Sequence, residues 1–468
     1  MNLFPLPLVP FEEYMLLDDQ PAHPMNFHMR LRFRGSLDRS VLMVAAEQAA
    51  RRHPLLTAVV GEADRGGLQW VPGTQDAVSV KWLGEATGEN PPHTPPFDLR
   101  REPGLRFWVT ERATGTDLLI QFHHACCDGL GSLGFARDLL LECARGLLPA
   151  RHRSALRLPP LDANLLRGRG DFGLTPQEAE DWMQQKSRTA VAARDFLTRP
   201  VASLTSPSPA EDVPLSASYP AVCSTTLSAQ ETASLRRLSH EQEVTVNDLL
   251  LRDLLLTIGN WRERQGLEDD PSWLRLMVPV NLRSALDQAL PAANVVSMAF
   301  LDRRPGDLAR PQRLLRGIHH EMQIIRQERL ALAFVLWLAT LKNQLGEIVR
   351  GDSRATCVLT NLGTVLDELP LPRDRGRLVV GNTVLDRVEL FAPWRLRTSI
   401  ALAVLQYAGR LNLTLHYDPR ILEAEDAEEL LDEFVAQVRS SSQSVFPAHQ
   451  RPLVLVPVGA AAGAAAEV

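Results

Sequence analysis

The sequence is poor in lysine, and arginine carries almost all of its positive charge. Only three of its 50 basic residues are lysines. The 56 acidic residues outnumber the basic ones, so the net charge is −6 and the isoelectric point is about 6.1. Because nucleic-acid binding needs a clustered cationic surface, this balance argues against nucleic acid as the main partner.

Cysteine is also scarce, with five residues, an odd number, and no C-x-x-C pair. This argues against a disulfide framework or a zinc ribbon and fits a reducing cytoplasm. The N-terminus is interrupted by prolines and short of positive charge, so we expect no signal peptide. No unbroken apolar run reaches the roughly 18 residues of a spanning helix. We therefore predict a cytoplasmic protein without a transmembrane segment.

The length of 468 residues exceeds what one hydrophobic core usually serves, and the composition is that of a globular protein. A segment rich in proline, serine and alanine at 198–220 indicates a linker. We predict an N-terminal lobe at 1–180, a linker or crossover at 181–220 and a C-terminal lobe at 221–445. The remaining 446–468 ends in GAAAGAAAEV and is predicted to be a tail with a flexible end.

Hydrophobic periodicity predicts strands and helices in both lobes. In the first lobe we expect strands at 27–33 and 117–124, a helix capped by Asp38 that Pro54 stops, and a helix at 130–146.

The second lobe is predicted to open with two helices, of which the second begins at a capping box of Thr245 and Asp248. Ala408-Gly409 marks a hairpin turn. Strands are expected at about 273–280, 294–301, 355–360, 379–388 and 398–405. A final helix is expected at about 423–440. The predicted fold class is mixed α/β (α+β).

The stretch QFHHACCDGLG, 121–131, concentrates uncommon residue types at a strand-to-helix junction. Adjacent strand residues point to opposite faces, so His123 and His124 cannot bind one metal ion together. His124 and Asp128 lack a third ligand of suitable spacing, so no metal is expected. The neighbouring cysteines are predicted to be buried filler, because a disulfide between neighbours is strained.

Two interpretations of this stretch remain, a satisfied core histidine and a catalytic base. In the catalytic interpretation the strand end projects His124 into a cleft, while His123 turns back into the lobe. A neutral imidazole suits general-base chemistry near neutral pH, and Gly129 lets the backbone pass close to a ligand. The sequence contains no G-x-S-x-G nucleophile, so direct acyl transfer is favoured over an acyl-enzyme.

The segment HHACCDG resembles the HHxxxDG motif of an acyltransferase superfamily. That superfamily includes nonribosomal peptide condensation domains, bacterial wax ester synthases, polyketide-associated acyltransferases and chloramphenicol acetyltransferase. The resemblance covers about 10–440 and is supported by companion segments in the same order, EEYMLLDDQPAHPMNF, RRHPLL, FDLRREPGLRFWV, TVNDLLL, VPVNLR and TNLG.

This resemblance implies two chloramphenicol acetyltransferase-like lobes, each a mixed sheet packed with helices, forming a V around a central tunnel. It makes His124 the base or the positioner of the transition state. His123 and Asp128 are then structural, with Asp128 paired to Arg283 of VPVNLR. Gly129 is then expected to line the tunnel for the pantetheine arm.

The resemblance implies an acyltransferase of secondary metabolism that moves an acyl group from acyl-CoA or an acyl carrier protein to a small-molecule or lipid hydroxyl. No tightly bound cofactor is implied, and we expect a monomer. One alternative is a free-standing condensation enzyme that forms an amide with an amine acceptor. The other is a non-catalytic module that docks carrier proteins.

Some segments depart from the wax synthase pattern, since PGLRFW replaces PLW and NLGTV replaces NVPGP. These departures count against wax or triacylglycerol synthesis itself.

Asn361 and Asn247 are candidate substrate-binding residues. The pair His319-His320 is predicted to lie on a solvated helix face, and the apolar 332–341 to pack in the second lobe or to border an acyl channel.

Overall fold

The computed structural model describes residues 2–64, 66–73, 78–85, 88–184, 196, 198–205, 213–341, 346 and 355–443. The predicted tail at 446–468 lies outside the described residues, as do 185–195, 197 and 206–212 of the predicted linker at 181–220.

The larger of the two main sheets, the first sheet, has seven strands. Strands β5 and β6 run parallel, and the other neighbouring strands are antiparallel. The strands in spatial order are β12 (Arg373–Asp374), β13 (Arg377–Val380), β14 (Thr383–Phe391), β2 (Asn26–Arg34), β7 (Gly115–His123), β6 (Leu105–Arg112) and β5 (Ser79–Glu85). Strands β2 and β7 are those predicted at 27–33 and 117–124.

A second sheet of six strands has β11 parallel to both of its neighbours and the other pairs antiparallel. Its strands in spatial order are β10 (Val296–Arg303), β9 (Leu274–Asn281), β11 (Cys357–Thr364), β15 (Ile400–Tyr407), β16 (Arg410–Tyr417) and β8 (Ala221–Leu227). A third, small sheet contains β1 (Leu6–Pro7), β4 (Leu68–Pro72) and β3 (Ala58–Glu62).

Helices pack beside these sheets, and two of their first turns are capped as predicted. The Asp38 carboxylate accepts from the Val41 amide, and Thr245 and Asp248 form a capping box. The helices are α1 (Pro10–Asp18), α2 (Arg39–Arg51), α3 (Gly129–Leu147), α4 (Pro176–Gln184), α5 (Ala229–Glu241), α6 (Val246–Arg264), α7 (Pro311–Gln327), α8 (Leu330–Leu341) and α9 (Ala424–Gln443).

The first sheet takes strands from both sides of the predicted linker. Strand β14 pairs antiparallel with β2, so that Phe391 lies opposite His28. The strand predicted at 379–388 is therefore two strands, β13 and β14, separated by a turn in which Gly381 has a φ of +63°. The lobe boundaries themselves stay a prediction.

The predicted β15–β16 hairpin is present. Ala408 and Gly409 at its turn have φ angles of +49° and +77°, the left-handed geometry that suits the right-handed twist of a hairpin.

The prediction for His319 is wrong, whereas His320 is exposed as expected. The Nδ1 atom of His319 lies 2.8 Å from a carboxylate oxygen of Asp248, and this pair joins α7 to the start of α6. The helical spacing of apolar residues along α7 could not reveal that His319 would contact Asp248, which is 71 residues away in the sequence.

Helix α8 contains the whole of the apolar segment 332–341. Its Leu332, Val335 and Leu338 are buried in the hydrophobic core that also contains the interior of the first sheet. The helices in the described part of the chain are all too short or too polar to cross a membrane.

Candidate active site

A cavity of about 350 Å³ is lined by residues from both large sheets and from the loops that follow their strands. On the side of the first sheet its wall is formed by Phe27, His124, Asp128, Gly129, Leu130, Leu390, Ala392 and Pro393. On the side of the second sheet it is formed by Met277, Pro279, Asn281, Arg283, Val296, Val358, Thr360, Asn361, Leu362 and Gly363. The cavity thus collects His124, Asp128, Gly129, Arg283 and Asn361 from the residues that the sequence singled out.

The two adjacent histidines face in different directions. His124 follows the last residue of β7, lines the cavity and lies with its ring centroid 5.3 Å from that of Phe27. His123 is fully buried, accepts a hydrogen bond from the Ala125 amide at 3.1 Å and has Nε2 3.3 Å from a carboxylate oxygen of Asp19. The strand alternation therefore leaves one imidazole for the cavity.

Burial lowers the pKa of His124 below its ordinary value of 6.5. The backbone carbonyl of His124 and the Asp128 carboxylate raise this pKa, and the neighbouring His123 lowers it, but burial has the largest effect. The imidazole is therefore neutral at neutral pH and has a lone pair with which to accept a proton. Nδ1 is buried, so Nε2 is the nitrogen available to the cavity.

Asp128 ends the motif loop and is held by four hydrogen bonds. Its carboxylate accepts from the Gly131 amide at 2.8 Å, which caps α3. It also accepts from both terminal nitrogens of Arg283, at 2.7 and 3.0 Å, and from the Val295 amide at 2.9 Å. Each carboxylate oxygen of Asp128 thus accepts two hydrogen bonds, which tie the motif loop to Arg283 and to the Val295 backbone.

The two glycines after Asp128 allow a close approach of the second sheet. A Cβ on Gly129 would lie 2.9 Å from Cδ2 of Leu362, which also lines the cavity. A Cβ on Gly131 would lie 3.0 Å from the carbonyl oxygen of Ala293. A larger residue at either position would force these neighbours apart.

The two candidate asparagines are in contact, but only one reaches the cavity. Asn361 lines the cavity, donates to the Asn247 side chain at 3.3 Å and accepts from the Gly363 amide at 2.9 Å. Asn247 is in the first turn of α6 and is not part of the cavity wall. Asn247 can therefore act on the cavity only through Asn361.

The cysteines of the motif loop offer no nucleophile. Cys126 and Cys127 are both fully buried, and burial raises the pKa of each thiol. Thiolate chemistry at neutral pH is therefore not available to them. Within the described ranges, no group of three or more His, Cys, Asp or Glu side chains is arranged to hold a metal ion.

Sequence reasoning missed the connection between β9 and β10, which packs against the motif loop. The Asn294 side chain donates to the backbone carbonyl of His124 at 2.8 Å. The Ala292 amide donates to the buried ring of His53 at 2.8 Å, and Ala293 accepts from the Asp128 amide at 3.2 Å. The part of this connection that follows the 3-10 turn at Ala285–Asp287 lies outside helices and strands, and no periodicity or motif in it indicated these contacts.

Residues 216–416 match the family described as phthiocerol/phthiodiolone dimycocerosyl transferase C-terminus. An uncharacterized protein of Mycobacterium tuberculosis is 28% identical to this chain over 287 residues, which is 59% of this chain and 62% of that protein. The alignment thus spans less than two thirds of the length of this curated relative.

Two solved structures show the same fold. The starter condensation domain of rhizomide synthetase, a mutant in complex with C8-CoA, has a TM-score of 0.64 and 15% identity over 94% of this chain and 95% of that one. Polyketide synthase associated protein 5 from Mycobacterium tuberculosis has a TM-score of 0.59 and 16% identity over 94% of this chain and 98% of that one.

The predicted fold class, a mixed α/β fold of two chloramphenicol acetyltransferase-like lobes, is confirmed by these structures. Together with the family match over 216–416, the shared fold supports the predicted assignment to the superfamily of condensation domains and acyltransferases.

Proposed function

We propose that this protein is an acyltransferase that moves an acyl group from a thioester to a hydroxyl acceptor, with His124 as the general base. The observation that carries the proposal is a neutral imidazole in the wall of a cavity that both large sheets build. A core histidine with a structural role would have both ring nitrogens hydrogen-bonded, as His53 has to the Ala292 amide and the Asp138 carboxylate.

The proposed reaction needs only one proton carrier. His124 Nε2 accepts the hydroxyl proton of the acceptor while the hydroxyl oxygen bonds to the thioester carbonyl carbon. The C–S bond then breaks, and the leaving thiolate takes the proton from the imidazolium. The products are an ester and a free thiol, and no bond to the protein forms.

The donor is proposed to be acyl-CoA or an acyl carrier protein, which enters beside Gly129. A structural neighbour was solved with C8-CoA, which supports a pantetheine thioester as donor. No tightly bound cofactor is needed. Asp128 and Arg283 are proposed to hold the motif loop, and Asn361, which lines the cavity, to contact substrate.

The opposite wall of the cavity favours an aliphatic acyl chain. Met277, Val296 and Val358 of the second sheet supply apolar surface there. An alkyl chain loses contact with water at this surface, which stabilises binding by about 0.8 kcal/mol per buried methylene.

The proposal is tested by incubating the protein with C8-CoA and a panel of primary alcohols and amines, followed by mass spectrometry of products and of the intact protein. Ester products and an unmodified protein mass are expected. Amide products alone would instead support a condensation enzyme. An acylated protein would contradict direct transfer, and binding without turnover of any thioester would support a docking module.

A further inference from the structure

Both backbone polar groups of His124 are hydrogen-bonded, one from each side of the cavity. The His124 amide donates to the carbonyl oxygen of Met25, just before β2, at 2.8 Å. The His124 carbonyl accepts from Nδ2 of Asn294, just before β10, at 2.8 Å. The orientation of His124 therefore depends on residues from both sheets.

Asn294 is itself placed by the residues that hold the motif loop. The preceding Ala293 carbonyl accepts from the Asp128 amide at 3.2 Å and from Arg283 at 3.0 Å. The following Val295 amide donates to the Asp128 carboxylate at 2.9 Å. Since the backbone on both sides of Asn294 is fixed, its side chain, which is 1% exposed, has little freedom to leave the His124 carbonyl.

We propose that Asn294 is a positioning residue that sets the orientation of the His124 ring through the His124 backbone carbonyl. The contacts with Asn294 and Met25 fix the peptide groups on both sides of the His124 Cα, from which the ring projects. A carbonyl accepts but cannot donate, so the asparagine must present its NH2 group there. The Asp128–Arg283 pair then has a second role, which is to bring Asn294 to the base. This inference rests on the proposed function of His124.

The test uses Asn294→Asp, which preserves shape and removes the donor. We expect kcat to fall roughly 10- to 100-fold, because a misplaced base loses alignment with the reacting atoms. KM should change by less than about threefold, because Asn294 is not part of the cavity wall. Asn412→Asp is the matched control, since Asn412 is a buried asparagine bonded to Thr226 on the second sheet.

A second readout does not depend on turnover. NMR titration of ¹⁵N-labelled histidine should place the midpoint of the His124 titration at higher pH in Asn294→Asp, because the variant adds a carboxylate near the ring. Asn294→Ala, which adds no charge, should change the tautomer balance of His124 without that upward shift.

Failure of the positioning role of Asn294 can be told apart from failure of the proposed base, His124. A parental kcat together with a parental His124 titration, in either folded Asn294 variant, would overturn the positioning role. If His124→Ala retains full transferase activity, the proposed base is wrong, and the NMR titration alone then decides whether Asn294 orients His124.

Discussion

Arg283 and Asp128 form two parallel hydrogen bonds of 2.7 and 3.0 Å between the second sheet and the motif loop of the first. Their side chains are 16% and 4% exposed, so little water screens the pair. A fork-to-carboxylate contact of this kind fixes orientation as well as distance. The position of His124 relative to the second sheet depends on it.

Replacing Arg283 with alanine should lower the free energy of unfolding by roughly 3 kcal/mol, because it leaves a buried carboxylate without its cation. Urea denaturation measures this loss. Arg34→Ala is the matched control, since Arg34 pairs with Asp386 at 3.3 Å with 48% of its side chain exposed, and it should cost at most about 1 kcal/mol. Equal losses in the two variants would contradict the structural role of Arg283.

Gly129→Ala should displace Leu362 into the cavity, because the new methyl group would lie 2.9 Å from its Cδ2. We expect a higher KM for long acyl donors with little loss of stability, since Leu362 is a flexible side chain. Adding Leu362→Ala should restore the parental KM. Steady-state kinetics of the two single variants and the double variant check this, and a double variant no better than Gly129→Ala would refute the proposed contact.

Burial by itself would raise the pKa of Glu389. The charge of Arg30 and the hydrogen bonds from Arg30 and Ser224 outweigh this effect and lower the pKa to about 2. In the unfolded chain the carboxyl titrates near 4.5. The charged form therefore stabilises the fold by about 3 kcal/mol above pH 4.5, and this contribution declines as pH falls toward 2.

Glu389→Gln should thus be less stable than the parent at neutral pH, and the difference should narrow below pH 4.5. Thermal unfolding across this pH range measures it. Glu241→Gln, at an exposed glutamate at the end of α5, is the control and should show no such convergence. A difference independent of pH would contradict the lowered pKa.

The rate of acyl transfer should depend on pH through His124. Its active form is the neutral one, so kcat/KM should be constant at neutral pH and fall as acid protonates the ring. The midpoint of this fall should lie below 6.5, because burial lowers the pKa of His124. A pH–rate profile with its acid midpoint above 6.5 would show that the ring is not desolvated as described.

The local sequence predicted those parts of the fold that depend on short-range patterns. The alternation of 27–33 and 117–124, the cap at Asp38 and the capping box at Thr245 depend on residues within a few positions of one another. It was the strand alternation that separated His124 from His123.

Contacts between residues far apart in the sequence could not be predicted from local patterns. No periodicity indicated that β14 would join β2 in the first sheet, or that His319 would meet Asp248. Asn294 was missed for the same reason, because its role depends on a contact 170 residues away. The family resemblance supplied Arg283 as the partner of Asp128, which spacing alone did not indicate.

The most direct test of the account is the initial rate of ester formation by His124→Ala, compared with His320→Ala at an exposed histidine of α7. Both variants should retain the parental melting temperature. We predict that His124→Ala loses roughly 100- to 10,000-fold in kcat, the usual contribution of a general base, while His320→Ala is unaffected. A folded His124→Ala protein that forms ester at the parental rate would contradict the central claim.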